Sequence, residues 1–171
     1  MQKIIFLDID GPVIPTPMYF IDNMCSFDRS VVSTIAIGWL RHLVRLSDAK
    51  IVCNSAHNYI STGTSRSDTI ERDLKQDLIR HGIPRDSFHE NWRTKFPNPT
   101  VIKMSDHRSN RIIAIEEWIR ENGETDWVGF DDEPYTTDSR LVHIDFDVGI
   151  DRDAFVKACE QWNLDPNTFV L

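Results

Sequence analysis

Residues Lys3 to Val13 read KIIFLDIDGPV: an apolar run leads straight into two aspartates one residue apart, and a glycine follows. Carboxylates just past a buried strand stand where ligands collect in open α/β sheets. A carboxylate there can attack phosphorus and form an aspartyl phosphate, splitting one hard displacement into two easier ones, a role that suits Asp8. An aspartate two residues further on can protonate the leaving oxygen and then activate water for the second step, which suits Asp10. Gly11 lets the backbone after Asp10 approach a phosphate closely.

Three more features belong with this pair. Ser55 follows an apolar run in IVCNSAHN, Lys103 precedes a helical pattern in VIKMSDHRSNRIIAIEEWI, and Asp131 and Asp132 follow another apolar run in WVGFDDEP. In a parallel sheet all of them gather along its carboxyl edge. Crowded carboxylates repel one another and a phosphate, so the set calls for a hard divalent cation, and magnesium prefers such oxygen ligands. Asp131, with Asp132 beside it, completes that cation's shell. A hydroxyl and a cationic side chain then hold the phosphoryl oxygens, which assigns Ser55 and Lys103. Lys95 and Arg111 lie in the same stretch and compete with Lys103 for the cationic role.

The elements that must position these residues are legible as alternating patterns. Ile4 to Leu7, Ile51 to Cys53, Trp127 to Phe130 and Leu141 to Ile144 are short apolar runs of the kind buried on both faces of a parallel sheet. Helical spacing is expected over Val31 to Leu46, with Ile35, Trp39, Leu43 and Leu46 as its stripe and a cap at Asp28 or Ser30. A second helix runs from about Asp68 to His81, with Ile70, Leu74 and Leu78 inward and Gly82 as its stop. A third runs from about Asn110 to Asn122, with Ile112, Ile115 and Ile119 inward and Gly123 after it. A fourth opens at Asp151 and carries Phe155, Cys159 and Trp162. The alternation predicts a three-layer, doubly wound, Rossmann-like parallel α/β sheet with helices on both faces. The whole chain, 1–171, reads as one domain with loop insertions at about 12–30 and 86–100 near the site.

The set DIDGP, Ser55, Lys103 and Asp131–Asp132 resembles the four motifs of the haloacid dehalogenase superfamily over roughly the first three quarters of the chain. That resemblance implies Asp8 as nucleophile and Asp10 as general acid and base. It also implies magnesium held by Asp8, Asp131, the backbone carbonyl of Asp10, and Asp132 as a further acid. The second aspartate points to the phosphatase branch rather than the dehalogenase branch. Pro12 departs from the usual threonine or valine. Little room is left for a large cap domain, so the site is expected to be open or covered only by loops. The small cap and the SAHN run look somewhat like a compact phosphatase-like branch found beside nucleic-acid repair enzymes.

Composition narrows the substrate. The formal net charge is −8 over 171 residues, which opposes nonspecific adhesion to nucleic acid or an anionic membrane. A nucleotide or other small phosphorylated metabolite is therefore the first expectation, a nucleic-acid end the second, and a catalytically idle binding module the third. Cys25, Cys53 and Cys159 are an odd count without metal-type spacing, which fits a reducing setting, and no targeting or membrane-spanning stretch is evident, which favours the cytoplasm. His57 is a candidate phosphate or substrate contact, with a surface histidine the simpler reading; His107 and Arg108 are candidates to contact substrate or belong to a polar helix start; Trp118 and Trp162 are read as core. Trp92 has the chemistry to stack on a base, although packing under a loop is the simpler reading.

Overall fold

A computed structural model describes residues 1–17, 32–55, 75–95, 110–133 and 138–168. Among them, five strands form one all-parallel sheet: β1 (Lys3–Leu7), β2 (Lys50–Cys53), β3 (Phe88–Arg93), β4 (Asp126–Asp131) and β5 (Leu141–His143), in the order β3-β2-β1-β4-β5. The described residues include three helices, α1 (Thr34–Ser47), α2 (Asn110–Asn122) and α3 (Arg152–Gln161), and residues 75–80 are helical as well. The expected doubly wound architecture is what the chain adopts.

β1 is the central strand, bonded to β2 on one side and β4 on the other. Its apolar side chains alternate between two cores, as a strand buried on both faces must. Ile5 and Leu7 join the cluster built with Ile37, Leu40 and Leu43 of α1 and Phe155 and Ala158 of α3. Ile4 and Phe6 join Ile115 and Trp118 of α2 and Trp127 of β4. Phe6 meets Trp118 and Trp127 edge to face, with ring centroids 5.4 and 5.5 Å apart, the arrangement that opposed ring quadrupoles favour. Helices on both faces thus clamp β1 rigidly, and whatever follows Leu7 is held to the same standard.

Several local expectations are corrected. The stretch 86–100 is not simply a loop, because Phe88–Arg93 is the edge strand β3. Its sequence, FHENWR, hides this. An edge strand has one neighbour and tolerates polar residues, and a register irregularity opposite Ile51 and Cys53 breaks any clean alternation. α1 begins later than expected, at Thr34, with Ser33 as its cap: the Ser33 Oγ accepts from Ala36 N at 3.3 Å. Its buried stripe is rotated to Ala36, Ile37, Leu40, Leu43 and Val44, leaving Ile35 69% exposed. α2 has the expected limits, but its most deeply buried residues are Arg111, Ala114, Ile115 and Trp118. α3 is capped by Asp151 and buries Phe155 and Cys159 as expected. The first part of the 68–81 helix lies outside the described residues; Leu78 is buried, and Gly82 follows with φ +99°.

Candidate active site

The chain winds from β1 outward to β2 and β3, then crosses to β4 and β5 on the other side. The winding therefore reverses between β1 and β4, where a crevice opens at the carboxyl edge. Asp8 follows β1 and Asp131 ends β4, one on each lip. The Asp8 backbone N–H continues the ladder, donating to Phe130 O at 2.9 Å. Both carboxylates are almost completely buried, at 1% and 2% exposure.

The Asp8 carboxylate is held from several directions. Oδ1 accepts from Ile9 N at 2.8 Å, Oδ2 accepts from Arg111 Nη2 at 2.6 Å, and the Ser55 side chain also hydrogen-bonds the carboxyl. Arg111 stands in the first turn of α2 and reaches across the crevice. Its Nη1 donates to Asn54 O at 2.8 Å, and its Nε lies 3.2 Å from Asp131 Oδ2. Asn54 is itself braced, because Thr94 Oγ1, just beyond β3, donates to Asn54 Oδ1 at 2.8 Å. Three strand ends and one helix start thus fix a single guanidinium between two acids.

Two acids and one cation leave excess negative charge in a dry place. Burial pushes the Asp8 carboxyl well above its ordinary range, with Asp131 adding to the effect and Arg111 opposing it. Burial likewise raises Asp131 to about 6, with Arg111 opposing and Glu133 and Asp132 adding. Burial disfavours the charged form of each acid. Asp131 Oδ1 is satisfied by Glu133 N at 2.9 Å, but Oδ2 is buried and receives no hydrogen bond, the Arg111 Nε–H being poorly aimed at it. One oxygen from each of Asp8, Asp131 and Asp132 lies within 4.8 Å of the other two. An orphaned carboxylate oxygen among hard oxygen donors fits a divalent cation such as magnesium. Magnesium at 100 times its dissociation constant is then expected to stabilise the fold by about 2.7 kcal/mol. A thermal melt should show the rise in wild-type protein and little of it in Asp131→Asn.

The turn after Asp8 is tight. Gly11 adopts φ +83°, and a Cβ there would sit 2.8 Å from Asp132 Cβ and 3.1 Å from Phe146 Cδ2. The glycine expected on grounds of phosphate approach is therefore also required for Asp132 to pack against the turn. The segment after β5 braces the same turn: Ile150 N donates to Pro12 O and Thr16 N to Phe146 O, each at 2.9 Å. Gly11→Ala is expected to cost about 1–3 kcal/mol, from backbone strain plus displacement of Asp132. A denaturant titration checks the stability, and a loss of magnesium-dependent stabilisation reports the displaced acid.

Asp8, Ser55, Gly11, Asp131 and Asp132 are thus brought together. Asp10 lies in the turn, half-buried, outside the group of three side-chain acids. Of the three candidates for the cationic role, Arg111 is in the crevice, while Lys95 is exposed and pairs with Glu121 at 2.9 Å on the surface. Lys103, with His57, His107 and Arg108, lies outside the described residues. Asn54, Thr94, Phe146 and Ile150 were not singled out from the sequence. Asn54 sits inside the IVCNSAHN run beside Ser55, whereas Thr94 was hidden because the strand before it reads as a loop.

A family model described as the HAD domain in Swiss Army Knife RNA repair proteins matches residues 4–155. Comparison with curated proteins and with solved structures gives no match.

Proposed function

Because the chain belongs to the HAD domain family of Swiss Army Knife RNA repair proteins, we propose that it is a magnesium-dependent phosphohydrolase that removes terminal phosphate from nucleic acid through an aspartyl phosphate at Asp8. The observation that carries this reading is the buried Asp8 carboxylate at the β1–β4 switch point. It is oriented by Ile9 N and Arg111, and it stands within a ligand's span of Asp131 and Asp132.

In the first step an Asp8 oxygen forms a bond to phosphorus as the bond to the leaving oxygen breaks, and Asp10 delivers a proton to that oxygen. In the second step Asp10 takes a proton from water, the water oxygen bonds to phosphorus, and the Asp8 carboxylate is released. Arg111 and Ser55 stabilise the charge that builds on the phosphoryl oxygens. Arg111 meets Asp8 and the Asn54 carbonyl with separate nitrogens, so the fork is already oriented before substrate arrives. Asp8, Asp131 and Asp132, with the Asp10 carbonyl, would hold magnesium, which would supply electrostatic neutralisation of the phosphate.

Net charge ranks a small phosphometabolite first; the repair context of the family moves a nucleic-acid end ahead of it. The test is phosphate release from small phosphate esters, nucleotides and 3′- and 5′-phosphorylated oligonucleotides, with magnesium and with chelator. Magnesium-dependent release with oligonucleotides preferred supports the reading. Preference for a small ester returns the substrate to the metabolite class, and release from none of them moves the chain to an idle binding module.

A further inference from the structure

The carboxyl edge of the sheet is electrically lopsided. On the β5 flank, a cavity of about 460 Å³ is lined by Asp132, Asp145, Asp151 and Asp153, with His143 and Lys157. The β3 flank carries cations packed on aromatic rings. Lys75 Nζ lies 4.8 Å from the centroid of Phe88 and 5.0 Å from that of Trp92, and the Arg93 guanidinium carbon lies 4.3 Å from the Trp92 centroid. Phe88 and Trp92 hold each other edge to face at 6.2 Å. Arg85 stands in the turn directly before β3, and burial lowers the Lys75 pKa, with the charges of Arg85 and Arg93 lowering it further. Like charges gathered this way resist one another, and the ring faces offset part of that cost. In a chain of net charge −8, three cations among the described residues gather along one edge strand, with Arg85 in the turn before β3 and Arg93 at its end.

The cluster is also joined to the site. Arg93 pairs with Cys53, the last residue of β2, and the next residue, Thr94, hydrogen-bonds Asn54, whose carbonyl receives Arg111. β3 stands two strands from β1, about 10 Å away across the sheet. A polyanion whose end lies over Asp8 is repelled from the β5 flank and drawn along the β3 flank.

We propose that Lys75 and Arg93, set on Phe88 and Trp92, together with Arg85 in the turn before β3, form a track for the single-stranded nucleic acid that leads to the phosphorylated end at Asp8. This rests on the end-phosphatase reading for the position of the end, and on the lopsided charge for the direction of the strand. Backbone phosphates meet the cations, and the flat Arg93 guanidinium offers a surface for a base.

The test uses the full chain carrying Asp8→Asn, with magnesium, and a fluorescent single-stranded oligonucleotide bearing a terminal phosphate. Anisotropy is read over a range of salt concentrations. Lys75→Gln with Arg93→Gln is expected to weaken binding about tenfold and to make the log–log salt slope less steep by about 1.4, two phosphate contacts at about 0.7 each. Lys75→Arg with Arg93→Lys, which keeps both charges, is expected to restore most of the affinity, and Asp153→Asn on the opposite flank is expected not to weaken it. Unchanged affinity and slope in the double glutamine variant overturns the track, as does equal weakening in the charge-keeping pair. Oligonucleotide turnover by protein with an intact Asp8 and an unaltered slope in the glutamine variant would sink the track alone. Binding with the predicted slope change but no turnover would sink the phosphatase reading alone.

Discussion

Asp8→Asn is expected to reduce phosphate release by about 10⁴-fold or more while leaving the fold intact. The substitution keeps the shape of the side chain, and an amide oxygen still accepts from Ile9 N, as Oδ1 does at 2.8 Å. What it removes is the oxygen nucleophile. Burial and the neighbouring Asp131 already disfavour charge at Asp8, so a neutral side chain there relieves one cost even as it gives up the ion pair with Arg111 at 2.6 Å. The melting temperature is expected to stay near that of the wild type, and a melt run beside the phosphate assay separates lost chemistry from lost fold. Activity within tenfold of wild type would show that the attacking group is elsewhere.

The second large effect is expected at Arg111. Arg111→Ala should lower kcat/KM by about 10²–10³, the loss seen when one preorganised donor to developing charge is removed. One guanidinium contacts Asp8 Oδ2 and Asn54 O and approaches Asp131 Oδ2 at 3.2 Å, and the residue is only 8% exposed. Arg111→Lys should recover only part of the loss, since an ammonium is a point charge that cannot reproduce a planar fork. Lys95→Ala should leave kcat/KM within about twofold, because an exposed pair with Glu121 is screened by solvent. Lys103→Ala completes the set. A loss at Lys103 that exceeds the loss at Arg111 would reassign the cationic role.

The ease of reading differed between strands and helices for a physical reason. Strands buried on both faces announce themselves as unbroken apolar runs, so β1, β2 and β4 and the polar residues at their ends, Asp8, Ser55 and Asp131, were visible in Ile4–Leu7, Ile51–Cys53 and Trp127–Phe130. β3 was not, because an edge strand needs only Phe88 and Trp92 to anchor it and can carry His89, Glu90 and Asn91 between them. Arg111 was legible only as one of three candidates. Hydropathy treats arginine as a surface residue, whereas here its charge is buried against Asp8 and its place in the 111/114/115/118 stripe is dictated by the site rather than by the core. The brace from Phe146 and Ile150 onto the segment around Gly11 left even less trace, since it joins residues far apart in the chain through backbone hydrogen bonds that no side-chain pattern encodes.

The central claim is that Asp8 becomes phosphorylated during turnover. The most direct measurement is to quench the protein in acid during reaction with a phosphorylated oligonucleotide and to locate any phosphoryl group by peptide mass spectrometry, in wild type and in Asp10→Asn, where loss of the base for the second step should let the intermediate accumulate. The account predicts a phosphoryl group on the peptide containing Asp8, stronger in Asp10→Asn and absent from Asp8→Asn. Sustained phosphate release by the wild type with no phosphoryl group on Asp8 in either protein, or with the group on another residue, would contradict it.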